Sequence, residues 1–258
     1  MRKKLIVGNW KMYNNTQQAS LLLHALSEKV KIHRDVEIVL APSVLVLQSL
    51  SLQVNRRQFK LAAQNCYWRD EGAFTGEISA AMLQGLVEYV IVGHSERRHI
   101  FNEPERDIRQ KVQAVLRSGM KPILCVGETA QQRSDNETVS VINDQLYSGL
   151  ANVTSEEMPH VAISYEPIWA IGSGKTPMPK DVLMVEKAIR KQISAMFGKK
   201  AAEEVRIIYG GSVTSANAPS FLVGEGIDGF LVGGASLRPD EFADIVSQAF
   251  DDSREERK

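Results

Sequence analysis

Short apolar runs recur along the chain, and each ends at a glycine, a proline or an asparagine. Eight of these runs are rich in Val, Ile and Leu: KKLIVGN, VEIVLAP, FKLAAQN, VEYVIVG, KPILCVG, HVAISYEP, VRIIYGG and DGFLVGG. Almost every position in them is apolar, which is typical of strands that are buried on both faces of a parallel sheet. The pattern therefore predicts eight parallel strands.

The segments between the runs carry apolar residues at helical spacing, together with start and stop signals. Residues 16–30 have one apolar stripe, and Thr16 is predicted to cap this helix. Another helix is predicted with Pro104 in its first turn and Gly119 as its stop. Further helices are predicted over residues 179–198 and 238–250, and shorter, weaker ones over residues 43–52, 78–86 and 215–224.

Eight alternations of strand and helix, with no linker between them, predict one α/β domain over residues 1–250. A closed (β/α)8 barrel is favoured over an open doubly wound sheet because closure removes both edge strands. The charged residues 251–258 are predicted to form a solvated, frayed tail.

Composition and charge narrow the class of protein. The 258 residues are 43% hydrophobic and 24% charged, as in ordinary globular proteins, and 31 Lys and Arg balance 31 Asp and Glu. The chain therefore lacks the excess positive charge that would indicate binding to nucleic acid or to an anionic membrane. Cys66 and Cys125 are far apart and are expected to be reduced thiols. No apolar stretch is long enough for a signal peptide or a membrane span, so the expected location is the cytoplasm.

Polar residues collect where the predicted strands end, which is the end of such a barrel that carries catalytic groups. They are Asn9 and Lys11 after strand one, His94 and Glu96 after strand four, Glu128 after strand five, Glu166 after strand six, and Ser212 after strand seven. The glycine pair Gly233 and Gly234 follows strand eight.

Each of these residues has an ordinary interpretation beside a catalytic one. Glu166 precedes Pro167, which stiffens the turn, so it is either a surface carboxylate or a general base. His94 is either structural or catalytic, and Lys11 either is solvated or faces an anionic substrate. Glu96 is either an acid at a helix start or a partner of that lysine.

Two glycine-rich segments need interpretation. The glycines after strands seven and eight can form tight turns, or they can present backbone N–H groups to a phosphate. The segment YEPIWAIGSGKTP ends like a nucleotide loop, but Trp169 stands where a P-loop requires glycine. It is either an ordered loop or a mobile lid. The run GEGIDG at residues 224–229 precedes a strand, which argues against a dinucleotide site.

Several motifs together resemble one family. GNWKM, GAFTGE, GHSERR, CVGE, YEPIWAIGSGKT, YGGSV and LVGGASL occur in order at the predicted strand ends and are similar to those of triosephosphate isomerases. The resemblance covers the whole chain. It implies a TIM barrel that interconverts dihydroxyacetone phosphate and D-glyceraldehyde 3-phosphate through an enediolate, in glycolysis and gluconeogenesis, without a cofactor or a metal.

The resemblance also implies roles for individual residues. Glu166 is the base, His94 the neutral electrophile, and Lys11 and Asn9 give electrostatic support, with Glu96 as the partner of Lys11. Substrate phosphate is bound by Gly172, Ser212, Gly233 and Gly234. The lid consists of Pro167, Ile168, Trp169, Ala170, Ile171, Gly172, Ser173, Gly174, Lys175 and Thr176.

The segment NCYWRDEGAFTGE carries three aromatic residues that are costly to leave in water. The resemblance implies that this loop inserts into a second copy of the chain, through Tyr67, Trp68, Phe74 and Thr75. A homodimer is therefore expected, with triose phosphates as the other partners, and a tetramer or a monomer with a folded-back loop is the alternative. Two alternatives remain open: a Schiff-base aldolase, which needs a desolvated lysine inside the barrel, and a phosphate-binding barrel without turnover.

Overall fold

Eight strands close into a barrel in which each strand is parallel to the next and the last pairs with the first. The computed structural model describes residues 2–171, 175–222 and 226–255, with side chains as far as Ser253. The strands are β1 (Lys4–Asn9), β2 (Val36–Ala41), β3 (Lys60–Ala63), β4 (Tyr89–Val92), β5 (Lys121–Val126), β6 (Ala162–Tyr165), β7 (Arg206–Tyr209) and β8 (Gly229–Val232). The predicted (β/α)8 TIM barrel is confirmed.

Helices follow the strands on the outside of the barrel. They are α1 (Thr16–Lys29), α2 (Val44–Gln53), α3 (Ala80–Leu83), α4 (Ser95–His99), α5 (Glu105–Arg117), α6 (Ala130–Ser134), α7 (Thr138–Leu150), α8 (Pro179–Phe197), α9 (Lys199–Glu204), α10 (Ala218–Leu222) and α11 (Pro239–Glu255). In the described part of the chain, no helix is both long and apolar enough to cross a bilayer.

Alternation of side chains along the strands divides the apolar residues between two cores. One core fills the barrel and includes Leu5, Val7, Ile91, Cys125 and Ile208. The larger core lies between the strands and the surrounding helices. Because both faces of every strand are buried, the strands are almost continuously apolar, and polar groups are placed mainly where the strands end.

Some helix starts differ from the prediction. Asn15, not Thr16, caps α1, because its side chain accepts the N–H of Gln18 while the Gln18 side chain accepts the N–H of Asn15. Pro104 precedes the first turn of α5 as its N-cap instead of lying within it. The start of α8 at Pro179 and its end before Gly198 are as predicted.

The last helix continues past residue 250 to Glu255, so this part of the expected tail is helical. Ser253 is buried, and Asp252 forms an ion pair with Lys4 at 2.7 Å. These contacts hold the end of α11 against the start of β1. The rest of the expected tail, residues 256–258, lies outside the described residues.

A charged network closes the end of the barrel opposite the strand carboxyl ends. Arg206 donates to Glu37 Oε2 and to the Tyr89 hydroxyl, both at 2.7 Å, and Tyr89 donates to Glu37 Oε2 at 2.8 Å. Burial alone would raise the pKa of Glu37, but the charge and hydrogen bonds of Arg206 and the hydrogen bond of Tyr89 hold it below its ordinary value of 4.5. The ionised carboxylate is therefore stabilised by folding.

Glu37→Gln is expected to lower the free energy of unfolding by about 2 to 3 kcal/mol at neutral pH, because Arg206 loses its charged partner. Because the pKa of Glu37 is lower in the folded protein than in the unfolded chain, its ionised form stabilises the folded protein when the pH is above the unfolded-state pKa. This contribution disappears as the pH falls through the folded-state pKa. The difference between the variant and the unsubstituted protein should thus shrink in acid. Urea unfolding at about pH 7 and about pH 3.5 measures it. Glu204→Gln, on an exposed part of α9, is the control, and equal losses at both pH values would contradict the prediction.

Candidate active site

A cavity of about 550 Å³ opens at the carboxyl ends of the strands. The residues predicted from the sequence at the ends of β1, β4, β7 and β8 all line it. They are Asn9, Lys11, His94, Glu96, Ser212, Gly233 and Gly234. These residues are far apart in sequence, and barrel closure brings them around one space. The predicted Gly172 lies outside the described residues.

Glu166 lies directly after β6 and is only 1% exposed. Its backbone N–H donates to Val126 O at 2.8 Å, which ties it to the end of β5. Its Oε2 atom accepts the backbone N–H of Ser95 at 2.9 Å. The other carboxylate oxygen, Oε1, is 3.6 Å from Nε2 of His94 and has no hydrogen-bond partner among the described residues. The carboxylate is thus held at one oxygen, and the other is buried beside His94, which lines the cavity, whereas Glu166 itself does not.

His94 caps α4, and this position determines which ring nitrogen faces the cavity. Its Nδ1 atom accepts the backbone N–H of Glu96 at 3.2 Å. In a neutral imidazole, an accepting Nδ1 leaves the proton on Nε2. Nε2 faces Glu166, so the ring can donate a hydrogen bond to a substrate oxygen held near that carboxylate.

Lys11 adopts a left-handed backbone conformation, with φ of 52°, which is uncommon for a residue other than glycine. Two side chains hold it there: Asn9 Oδ1 accepts the Lys11 N–H at 3.0 Å, and Gln64 Nε2 donates to Lys11 O at 2.8 Å. Its ammonium is 2.6 Å from Glu96 Oε1. The loop after β1 therefore places a positive charge at the cavity, in a position that Glu96 determines.

Two of these supporting groups are absent from the sequence prediction. The backbone N–H of Ser95 holds the carboxylate of Glu166, and no side-chain pattern reveals such a contact. Gln64 was also missed, although a polar residue at the end of the third apolar run, beside the polar ends of the other runs, was an available signal.

The ends of β7 and β8 form another wall of the cavity, next to the end of β1. Ser212, Gly233 and Gly234 lie there, and a Cβ atom on Gly233 would be 3.5 Å from Cε of Lys11. The lysine side chain therefore reaches the glycine pair. Backbone amides beside an ammonium group form a suitable environment for an anion.

The first residues of the predicted lid are well connected to the barrel. Ile168–Ala170 forms a single 3-10 turn, and Trp169 Nε1 donates to Glu128 Oε1 at 2.9 Å. Tyr165 also donates to Glu128, and burial, followed by the charge of Glu128, raises the pKa of Tyr165 so that it stays a donor. Ile168 and Ile171 line the cavity, whereas Gly172, Ser173 and Gly174 lie outside the described residues.

The predicted dimer loop has an aromatic cluster of its own. The ring of Tyr67 lies 5.2 Å from that of Trp68 and 4.7 Å from that of Phe74. The three rings are half-buried because they cover one another, so the premise that a partner must cover them is only partly correct. Thr75 is exposed.

Both cysteines are buried. Burial raises the pKa of Cys66 to about 12, and it also raises the pKa of Cys125, with the negative charge of Glu166 as the next cause. Both thiols are therefore protonated at neutral pH. Among the described residues, no group of three or more His, Cys, Asp or Glu side chains is arranged as a metal site.

Comparison with known proteins agrees with this arrangement. The family model described as triosephosphate isomerase matches residues 4–249. Proteins named triosephosphate isomerase from Chloroherpeton thalassium and Geotalea uraniireducens are 44% and 42% identical to this chain, over 96% and 95% of its length and 100% and 98% of theirs. A third, from Fusobacterium nucleatum, is 44% identical over 95% of this chain and 98% of its own. Together with the closed barrel and the residues at its strand ends, these matches establish that the chain belongs to the triosephosphate isomerase family.

Proposed function

We propose that this protein interconverts dihydroxyacetone phosphate and D-glyceraldehyde 3-phosphate by moving a proton between adjacent carbons. The observation that carries the proposal is that Oε1 of Glu166, which has no hydrogen-bond partner among the described residues, lies 3.6 Å from Nε2 of His94. A carboxylate and an imidazole donor so close together can act on a carbon acid and on the oxygen of its neighbouring carbonyl at the same time.

Each of these side chains has its own role in the reaction. Glu166 removes the proton from the carbon beside the carbonyl and returns it to the adjacent carbon. His94 donates a hydrogen bond from Nε2 to the oxygen that becomes negative, and as the carbonyl shifts to the neighbouring carbon it passes the hydroxyl proton from one substrate oxygen to the other. The Lys11 ammonium stabilises the same charge, and its ion pair with Glu96 keeps it positioned. Asn9 holds the Lys11 backbone and faces the cavity. The reaction transfers protons and no electrons to or from the substrate, so no redox cofactor is required.

Substrate phosphate is bound at the wall formed by the ends of β7 and β8. Backbone amides of Ser212, Gly233 and Gly234 serve as donors, and Lys11, whose side chain reaches Gly233, contributes charge. Gly172 is the proposed donor from the lid, which excludes water while the enediolate exists. Exclusion of water matters because the intermediate can otherwise lose its phosphate.

Proton NMR of dihydroxyacetone phosphate incubated with the protein in deuterium oxide tests the function. The isomerase is expected to produce glyceraldehyde 3-phosphate and to introduce deuterium at carbon. A phosphate-binding barrel without turnover would leave the substrate unchanged.

Borohydride trapping tests the aldolase alternative. The described residues disfavour that alternative, because the residue directly after β6 is Glu166, and the buried lysines among them, Lys4 and Lys111, lie at the start of β1 and on α5, away from the carboxyl ends of the strands.

We also propose that the protein acts as a homodimer in the cytoplasm. A second cavity of about 400 Å³ adjoins the first and shares Asn9 and Lys11 with it. Met12, Val44 and Phe101 line this cavity and are 94%, 53% and 65% exposed. Exposed apolar side chains around a cavity are typical of a protein interface, and the loop from Tyr67 to Thr75 of a second copy is the proposed occupant.

Met12→Asp is expected to convert the dimer to a monomer at micromolar concentration, because the interface would bury an unpaired charge. Sedimentation velocity measures the change. Leu52→Asp, at a residue on α2 that is 85% exposed, is the matched control and should stay dimeric. An unsubstituted protein that sediments as a monomer would refute the dimer.

A further inference from the structure

The chain at the end of β5 continues past the point where the neighbouring strand β4 turns away. Pairing between the two strands ends at Val92 and Leu124, because the chain turns at Gly93, with φ of 71°, and enters α4. Successive residues of a strand direct their backbone groups to opposite neighbours. The residues after Leu124 whose N–H and C=O groups face the side of β4 therefore need other partners.

On its other side, the chain after β5 stays bonded to the residues after β6. Val126 O accepts the N–H of Glu166 at 2.8 Å, and Glu128 O accepts the N–H of Ile168 at 3.1 Å. Gly127 lies between these two acceptors, so its own N–H and C=O face the side that β4 has left.

The side chain of Gln145, on α7, supplies both partners for Gly127. Its Oε1 atom accepts the Gly127 N–H at 2.8 Å, and its Nε2 atom donates to Gly127 O at 3.1 Å. A carboxamide has the same donor and acceptor as a peptide group, so Gln145 replaces the missing strand at this point. The helix that carries it is fixed in the core, since Ile142 and Leu146 are fully buried.

Gly127 is also in direct contact with the backbone of Glu166. A Cβ atom on Gly127 would lie 1.8 Å from Glu166 O and 2.6 Å from its carbonyl carbon, so the two main chains approach as closely as glycine permits. The carboxylate of Glu166 accepts one hydrogen bond at Oε2, from the Ser95 N–H, and Oε1 has no partner among the described residues. With so few contacts at the carboxylate, its position depends strongly on where the Glu166 backbone is held.

We propose that Gln145 is a positioning residue for the catalytic base: its carboxamide holds Gly127 against the backbone of Glu166 and thereby sets the position of the carboxylate beside His94. Gln145 is not among the residues that line the cavity, so it acts on the reaction only through Gly127. The inference rests on the proposed function, because it gives Gln145 this role only if Glu166 abstracts the proton.

Gln145→Met is the test, because methionine has a similar length but neither the donor nor the acceptor. Gly127 is then free to move away from Glu166, and kcat should fall about tenfold while KM changes by no more than about twofold. Gln58→Met is the matched control. The half-buried Gln58, just before β3, also bonds twice to backbone, donating to Ser27 O at 3.0 Å and to Val30 O at 2.5 Å. Its loss should lower the melting temperature to a similar extent and leave kcat unchanged.

Gln145→Glu tests whether the pair of hydrogen bonds is responsible. A protonated carboxyl group can accept the Gly127 N–H and donate to Gly127 O, as the amide does, whereas a carboxylate repels the carbonyl oxygen. The kcat of Gln145→Glu relative to the unsubstituted protein should therefore rise as the pH falls from about 8 to about 5.5, and that of Gln145→Met should stay constant.

The inference is wrong if Gln145→Met retains the kcat of the unsubstituted protein, or if Gln58→Met loses as much kcat at the same loss of melting temperature. It is also wrong if the relative kcat of Gln145→Glu is as independent of pH as that of Gln145→Met. Absence of turnover in the unsubstituted protein would instead refute the proposed function.

Discussion

Glu166→Asp is expected to lower kcat by roughly a hundredfold or more, with KM changed by no more than about twofold. The substitution keeps the carboxylate but withdraws it by one methylene. Because Glu166 is 1% exposed and bonded to the Ser95 amide, the surrounding structure does not move to compensate. A displacement of about 1 Å at the base reduces proton transfer strongly, whereas the phosphate contacts proposed at the ends of β7 and β8 should be unchanged.

A coupled isomerase assay over a range of substrate concentrations separates kcat from KM. Glu204→Asp, at an exposed position on α9, has the same chemical change and should behave like the unsubstituted protein. Thermal melting verifies that both variants are folded. If the loss fell equally on kcat and KM, or if activity were unchanged, Glu166 would not be the base.

The barrel was predictable because its signal is repeated eight times. Every strand is buried on both faces, so each one produces a continuous apolar run that a single sequence reveals. The location of the site followed from the same fact, since the polar residues of such strands are placed mainly at their ends. Asn9, His94 and Ser212 are far apart in the chain, and parallel closure alone brings them to one cavity.

Helices were less predictable where packing outweighs local propensity. Residues 138–150 include Thr, Val, Ser, Asn and Gly, which are poor helix formers, so the helix expected between β5 and β6 had no predicted bounds. They nevertheless form α7, because Ile142, Leu146 and Leu150 lie one turn apart and are fully buried. The cap of α1 was placed one residue too late, since Asn15 and Thr16 are both good capping residues and only the geometry selects between them.

The details of the site depend on hydrogen bonds between a side chain and a distant backbone group, which sequence patterns do not encode. The Ser95 amide reaches a carboxylate 71 residues away. Gln145 likewise accepts the N–H of Gly127 at 2.8 Å and donates to its carbonyl at 3.1 Å. Such contacts follow from the register of the strands, and the sequence predicts only that strand ends meet.

Gly127→Ala is expected to have the largest effect on folding. A Cβ atom at this position would lie 1.8 Å from the carbonyl oxygen and 2.6 Å from the carbonyl carbon of Glu166. Cβ atoms essentially never lie closer than 3.0 Å to another heavy atom, so the two backbones must separate by about 1 Å or more. That movement strains the bond from Glu166 N–H to Val126 O and the clamp that Gln145 forms around Gly127.

Overpacking against backbone cannot be relieved by a change of rotamer, so Gly127→Ala should lower the free energy of unfolding by about 3 kcal/mol or more. Urea unfolding measures this loss, and any folded protein should also have a strongly reduced kcat, because Glu166 has moved. Gly234→Ala is the stability control, since a Cβ atom there meets nothing within 4 Å. It should unfold like the unsubstituted protein even if its phosphate binding is impaired. Similar stability of the two variants would mean that the end of β6 is free to move away from β5, and Glu166 would then not be held rigidly enough for the role proposed for it.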